Sequence, residues 1–263
     1  MGGREPSVSQ LLDRTPMLKA TREKPLDRST LEARFDISRA TAYRQTAALI
    51  DQGLLESTPE GYQPTGPGAA LAAAADRFER SVAAIDHLEP LLETVAAPEL
   101  IKHIHLFADA EIAVAEPTNP SRPVDHWLEH FADCERVRGL VTIGGIAGPT
   151  ERGVEHAHAG ADIDVVYTPV ALEAHANATA EAFETILTAE NVTISTHRDL
   201  EFSVGIFDDV VMIAGCDSTT ALPVVTVATD TDSARAWANN LFLQYRRESD
   251  PVASLEEISN VRF

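Results

Sequence analysis

Six consecutive positions, Arg39 to Arg44, gather side chains suited to reading a nucleic-acid edge rather than to breaking a bond. The guanidinium of Arg39 or Arg44 can donate two hydrogen bonds to O6 and N7 of guanine. The Thr41 hydroxyl can bond a base or a phosphate, and the Ala40 methyl can lie beside a thymine methyl. Tyr43 belongs to the same run, and Ser38 stands immediately before it. Arg28 upstream is a candidate phosphate contact, as is Arg22, and Tyr62 downstream completes the set of DNA-binding candidates. Were the region used only for protein contact, these residues would be an ordinary solvated face.

The elements that must position them follow from local chemistry. Asp27 can cap a short helix whose inward face is Leu31 and Phe35, and Asp36 stands where the chain must turn. Ser38 offers an N-cap oxygen to a second helix, whose first amides lack carbonyl partners. Ile37, Ala42, Leu49 and Ile50, with Thr46, form its apolar side, and the candidate residues fall on the other. Gly53 suits the helix end, where positive φ is needed. Residues 54–56 read as a strand, 58–61 as a turn and 62–63 as the return strand. Ahead of all this, residues 8–22 make a first helix with Val8, Leu11, Leu12, Met17 and Leu18 inward. Pro16 divides it, with Thr15 as the cap of the second piece. This succession is a winged helix-turn-helix, whose second helix is the one that enters a major groove.

Beyond the turn-rich residues 64–68, a helix is expected over 69–95. Leu71, Ala75, Phe78, Val82 and Ile85 recur at steps of four and three, the alternation of a coiled-coil seam. Pro90 kinks or restarts it. That spacing favours a helix pairing two subunits. From residue 97 strands and helices alternate. Strands are expected at 111–115, 138–143, 162–167, 192–196, 202–207, 210–214 and 223–228. Helices are expected at 123–131, 150–158, 169–187 (broken near Asn177) and 232–246. Asp208-Asp209 reads as a two-residue hairpin turn. The alternation implies an α/β domain with a largely parallel sheet and an antiparallel piece near its end. The expected division is a winged helix-turn-helix at 1–66, a linker helix at 67–96, an α/β effector-like domain at 97–250 and a loosely ordered polar tail at 251–263.

Other chemistries are poorly served. The chain has no P-loop and no Gly-x-Ser-x-Gly elbow, and no nucleophile–base constellation stands out, so no catalytic residue and no cofactor are assigned. Gly144 and Gly145 follow an expected strand and precede a helix, where backbone amides can cradle an anion. With Thr168 and Pro169 they lie at the carboxyl ends of strands, where ligands of such sheets sit, so the four mark a possible effector pocket. His126 and His130 share a helix face, His156 and His158 bracket an alanine, and His103 and His105 could share a strand face. Such spacings can hold zinc or nickel. Nine histidines produce them by chance, no cysteine cluster supports them, and no metal site is assigned.

Charge is distributed unevenly. The net charge is −20, and only Lys19, Lys24 and Lys102 are lysines. Up to Arg80 there are eleven basic and eleven acidic residues, and beyond it ten and thirty. An acidic coat poor in lysine looks like adaptation to molar salt. There, screening shortens to a few Å, and counterion release adds little affinity, so DNA binding would rest on base-edge and shape contacts. No run of 18 apolar residues is present, and the first six residues lack the apolar core of a signal peptide, so a cytoplasmic protein without a membrane partner is expected. Cys134 and Cys216 read as buried free thiols.

Several segments carry a family resemblance. They are Arg136-Val137-Arg138-Gly139-Leu140, Asp164 to Val170, Val204 to Val211 with its Gly-Ile-Phe-Asp-Asp core, and Ala234-Arg235-Ala236-Trp237-Ala238. In order, they span nearly all of residues 97–250. This stretch resembles the effector domain first named as the middle domain of a methanogenesis regulatory protein, which in halophilic archaea commonly follows a winged helix. Such domains are similar to phospholipase-D-like sensor halves of sugar-responsive archaeal regulators. The chain departs from the phospholipase-D enzymes by having no His-x-Lys motif. The resemblance implies a transcription regulator, not an enzyme. It would read double-stranded promoter DNA as a homodimer and have a possible small-molecule effector. The alternative is a metabolite or metal sensor that acts through protein contacts instead of DNA.

Overall fold

The computed structural model describes residues 12–132, 134–143, 147–178, 180–220, 222–252 and 254. The chain divides into two compact units, one ending at Val82 and one beginning at Ala83. The expected linker at 67–96 is therefore shared. Ala72 sits in the core of the first unit, while Ala84, Leu88, Leu91 and Val95 sit in a core of the second.

The first unit contains α1 (Thr15–Ala20), α2 (Arg28–Phe35), α3 (Arg39–Asp51), β1 (Leu55–Thr58), β2 (Gly61–Pro64) and most of α4 (Gly66–His87). Its core is built from Met17, Leu18, Leu26, Leu31, Leu49, Leu55 and Ala72. Thr15 is the first residue of α1 rather than its cap, and its hydroxyl donates to the Leu12 carbonyl at 2.8 Å. Asp27 caps α2 as expected, its carboxylate accepting the Thr30 amide at 2.7 Å. Asp36 turns the chain at φ +50° and Gly53 at +68°. On α3 the buried residues are Ala42, Thr46 and Leu49. Ile50, expected inward, is exposed, because one residue beyond Leu49 rotates it about 100° off that narrow face. The β1–β2 turn is two residues shorter than expected, since Thr58 pairs with Gly61.

The hairpin is joined by a third segment. Leu26 and Tyr62 exchange two backbone hydrogen bonds, at 3.1 and 2.9 Å, just before α2 begins. Gly61 permits this approach. Its φ is +134°, and a Cβ there would lie 2.6 Å from the Leu26 carbonyl carbon. The unit thus holds two short helices, a tight turn and a two-stranded hairpin, the wing, which is anchored to the residue that leads into α2.

The second unit is built on one eight-stranded sheet. Its strands are β3 (Glu111–Val114), β4 (Arg136–Val141), β5 (Asp162–Tyr167), β6 (Val192–Thr196), β7 (Ser203–Phe207), β8 (Val210–Cys216), β9 (Pro223–Thr229) and β10 (Asp250–Pro251). The order is β10-β6-β5-β4-β7-β8-β9-β3. The expectation of a largely parallel sheet is corrected: only β4–β5 and β5–β6 are parallel, and the other pairings are antiparallel. The parallel neighbours β4, β5 and β6 are joined by helical crossovers. Short connections, such as Asp208-Asp209, make β7–β8 and β8–β9 run oppositely, while β4–β7, β3–β9 and β6–β10 are antiparallel pairings made at long range.

Helices cover both faces: α5 (Glu89–Leu92), α6 (Pro98–His103) and α11 (Asp232–Glu248) on one, and α7 (Arg122–Phe131), α8 (Ala147–Ala159), α9 (Pro169–Ala178) and α10 (Ala180–Leu187) on the other. Side chains alternate between the two cores as a period of two requires. Val211 and Ile213 join Leu88, Phe107 and Phe242, whereas Met212 joins Phe131, Leu172 and Phe183. Pro90 sits in the first turn of α5, where it restarts the helix. His103 and His105, expected on a strand, lie at the end of α6 and in the 3-10 turn Ile104–Phe107. Part of the expected loose tail is built in: Asp250–Pro251 pairs with β6, and Val252 is buried. Among the described residues no helix is long and apolar enough to cross a membrane.

Candidate nucleic-acid interface

The N-terminal turns of α3 carry the expected set outward. Ser38 caps the helix: its hydroxyl oxygen accepts the Thr41 amide at 3.2 Å and lies 3.0 Å from the Thr41 hydroxyl. That tie leaves Thr41 half-buried, while Arg39, Ala40, Tyr43 and Arg44 are exposed, Tyr43 to 59%. The buried side of the same helix is held by Ala42 and Leu49, and by Thr46, whose hydroxyl donates to the Ala42 carbonyl at 2.9 Å. Gln45 is exposed beside Arg44 and can pair with an adenine edge. The sequence reading passed over it, although a polar residue next to Arg44 was a visible signal.

Arg28, Tyr43 and Tyr62 form one cluster. The Arg28 guanidinium donates to the Tyr62 hydroxyl at 2.9 Å and lies over the Tyr43 ring, 5.2 Å from its centroid. The motif's first helix, its second helix and the wing therefore meet at one arginine. Arg22, the other candidate for phosphate, is instead paired with Asp76 of α4 at 3.0 Å. Lys19 bonds both Asp76 and Glu79 of that helix, at 2.7 and 2.6 Å. The Lys19 ammonium holds the Asp76 carboxyl below its ordinary range. These basic groups are consumed inside the unit.

In the second unit, Gly144 and Gly145 lie outside the described residues. Thr168 has a local task. Its amide donates to the Val141 carbonyl at 2.9 Å, and its hydroxyl oxygen accepts the Ala171 amide at 3.2 Å, starting α9. Pro169 borders a polar cleft with His197, Arg198 and Asp250, which Thr168 does not line. A separate apolar cavity of about 140 Å³ lies beneath α7, lined by Trp127, Phe131, Gly139, Gly205, Phe207 and others. Of the expected pocket residues, Thr168 and Pro169 do not border it. Neither cysteine is in a disulfide, and burial pushes the Cys216 thiol up to about 11, far from a reactive thiolate. His126 and His130 do share a face, and the structure adds Glu111 beside them.

With this geometry in place, comparisons assign the two parts. Residues 120–248 match the family model described as the methanogenesis regulatory protein FilR1, middle domain, and residues 7–87 match the one described as the HVO_A0261 N-terminal domain. Residues 120–248 are thus similar to the middle domain of a regulatory protein. Among solved structures it is similar to TrmBL2, an archaeal chromatin protein described as showing a novel mode of DNA binding. That similarity has a TM-score of 0.43 at 14% identity over 92% of this chain and 94% of the other. It is also similar to Nuc, a phospholipase D family member from Salmonella typhimurium, with a TM-score of 0.46 at 13% identity over 56% of this chain and 100% of the other. Comparison with curated proteins gives no match.

Proposed function

We propose that the protein is a transcription regulator that reads double-stranded promoter DNA through α3 of its winged helix-turn-helix, as a homodimer. The observation that carries this reading is the division of α3. Ala42, Thr46 and Leu49 face the core, while Arg39, Ala40, Tyr43 and Arg44 stand exposed in its first two turns. Those turns are the part of a recognition helix that reaches base edges. The similarity of residues 120–248 to the middle domain of a regulatory protein supports the same conclusion. Arg28 serves as a phosphate contact beside the wing.

Pairing rests on α4. Phe78, Val82 and Ile85 are each more than half exposed on it, at steps of four and three. That is an apolar stripe one heptad long, suited to a second copy of the same helix, whereas Ala75 of the expected seam is buried and Leu71 packs on the first unit's own core. Twofold pairing matches the half-site symmetry with which such motifs read DNA.

The test is a gel shift of genomic fragments with the full chain, run from 0.1 M to molar salt. A specific fragment is expected, and Arg39→Ala with Arg44→Ala should weaken it by roughly 10- to 100-fold per lost bidentate pair. Undiminished binding by the double variant would overturn the assignment of α3. Absence of any specific fragment would turn the reading toward a sensor that works through protein contacts.

A further inference from the structure

We propose that Glu111, His126 and His130 form a binding site for a divalent transition-metal ion of the zinc class. His126 and His130 are four residues apart on α7 and so share a face, and Glu111 opens the edge strand β3 beneath them. The Glu111 Oε2 atom lies 3.8 Å from His126 Nε2 and 3.9 Å from His130 Nε2. All three donor atoms lie within 4.8 Å of one another. Zinc bonds of about 2.0–2.1 Å in a tetrahedron set donors about 3.3–3.4 Å apart. The two Glu111 distances exceed this by about half an ångström, which the Glu111 side chain, 77% exposed, is free to close, while the widest donor separation needs a shift of up to about 1.4 Å from the histidine rings.

The orientation of His126 is the second observation. The buried Thr226 hydroxyl donates to the Pro123 carbonyl at 3.3 Å, so its oxygen is left to accept. His126 Nδ1 lies 2.9 Å from that oxygen and, with the hydroxyl proton given to Pro123, is assigned as the protonated nitrogen. The lone pair on Nε2 then points at Glu111 and His130. An imidazole whose far nitrogen is anchored by a buried oxygen is the arrangement that fixes metal ligands. Two imidazoles and one carboxylate suit a borderline ion such as zinc, cobalt or nickel better than magnesium or calcium. Three protein ligands leave a fourth position for water or an external donor.

The site is independent of the DNA-binding reading, because its test is metal binding itself. The full chain, stripped with a chelator, is titrated with zinc sulfate by calorimetry and with cobalt chloride by visible absorption, at low and at molar salt. One equivalent should bind, and the cobalt form should show d–d bands of a four- or five-coordinate site. Glu111→Gln and His130→Asn, both surface changes, should each weaken binding by at least 10-fold. Thr226→Val should weaken it by roughly 10- to 100-fold while leaving every ligand in place. No saturable binding to a chain that is folded by circular dichroism would overturn the proposal. So would zinc affinity unchanged in Glu111→Gln and His130→Asn, because the ion would then sit elsewhere.

Discussion

The Arg28 guanidinium and the Tyr62 hydroxyl, 34 residues apart in sequence, are 2.9 Å apart in the fold. The bond ties the first helix of the helix-turn-helix to the wing, and the same guanidinium covers Tyr43 on the second helix. If Arg28 also touches phosphate, Arg28→Ala should weaken DNA binding about equally across sequences and reduce the slope of log K against log salt by about one. Arg44→Ala should instead relax preference at one base position. Gel shifts on a set of point-substituted fragments distinguish the two patterns.

The Ser38 hydroxyl is the only side-chain acceptor capping α3. Ser38→Ala should cost about 1 kcal/mol of stability, and Ser38→Gly only a few tenths. Chemical denaturation followed by circular dichroism reads the difference. A loss equal in both variants would mean that the Thr41 amide gains nothing from the hydroxyl.

Two glycines of the first unit should respond differently to alanine. Gly53 has φ +68° with open space around its missing Cβ, so Gly53→Ala should cost about 1–2 kcal/mol for the backbone alone. At Gly61 the new Cβ would also collide with the Leu26 carbonyl, so Gly61→Ala should cost more and break the Leu26–Tyr62 pairing. Denaturation midpoints of the two variants, and amide exchange at Leu26 and Tyr62, test this ranking.

His175 is buried against Tyr167 and Phe183, and burial pushes its pKa down to about 4. In the unfolded chain a histidine titrates near 6.5. Between those values the unfolded state binds a proton that the folded state refuses, so stability must fall as pH drops from about 6.5 to 4. The loss attributable to this residue is on the order of 3 kcal/mol. His175→Phe should flatten that part of the stability profile. An unchanged acid slope in that variant would remove His175 as the cause.

On α4, Val82→Asp with Phe78→Asp places charges where a second copy would pack. The double variant should be monomeric by light scattering while the parent chain is a dimer. An equal mass for the two would disconnect this helix from assembly.

Local chemistry made much of the first unit legible: Asp27, Asp36, Ser38 and Gly53 each do in the structure what their types suggest. Ile50 was misplaced because the buried face of α3 is only as wide as Ala42, Thr46 and Leu49, and sequence shows polarity but not that width. In the second unit the strands were readable from β-branched runs, but their directions were not. Direction depends on which strands become neighbours, and β7 lands beside β4 at long range. The same distance hid the role of Glu111, whose partners His126 and His130 arrive only when β3 joins the far edge next to β9. The Arg22–Asp76 pair was likewise invisible, since nothing in either segment specifies the other.

The two ends of the sheet bear on how the second unit can be cut out. β3 closes one edge and β10 the other, and they are the first and last strands of the unit. Both are short, and β10 consists of Asp250 and Pro251, residues that discourage a further strand from adding on. The matched family segment, 120–248, excludes both. A fragment trimmed to those limits would bare the seven-residue margin of β9 and the margin of β6, and should self-associate through them. An expression boundary placed before residue 83 and after residue 252 keeps the natural hems in place and retains the core residues Leu88, Leu91, Leu100 and Phe107.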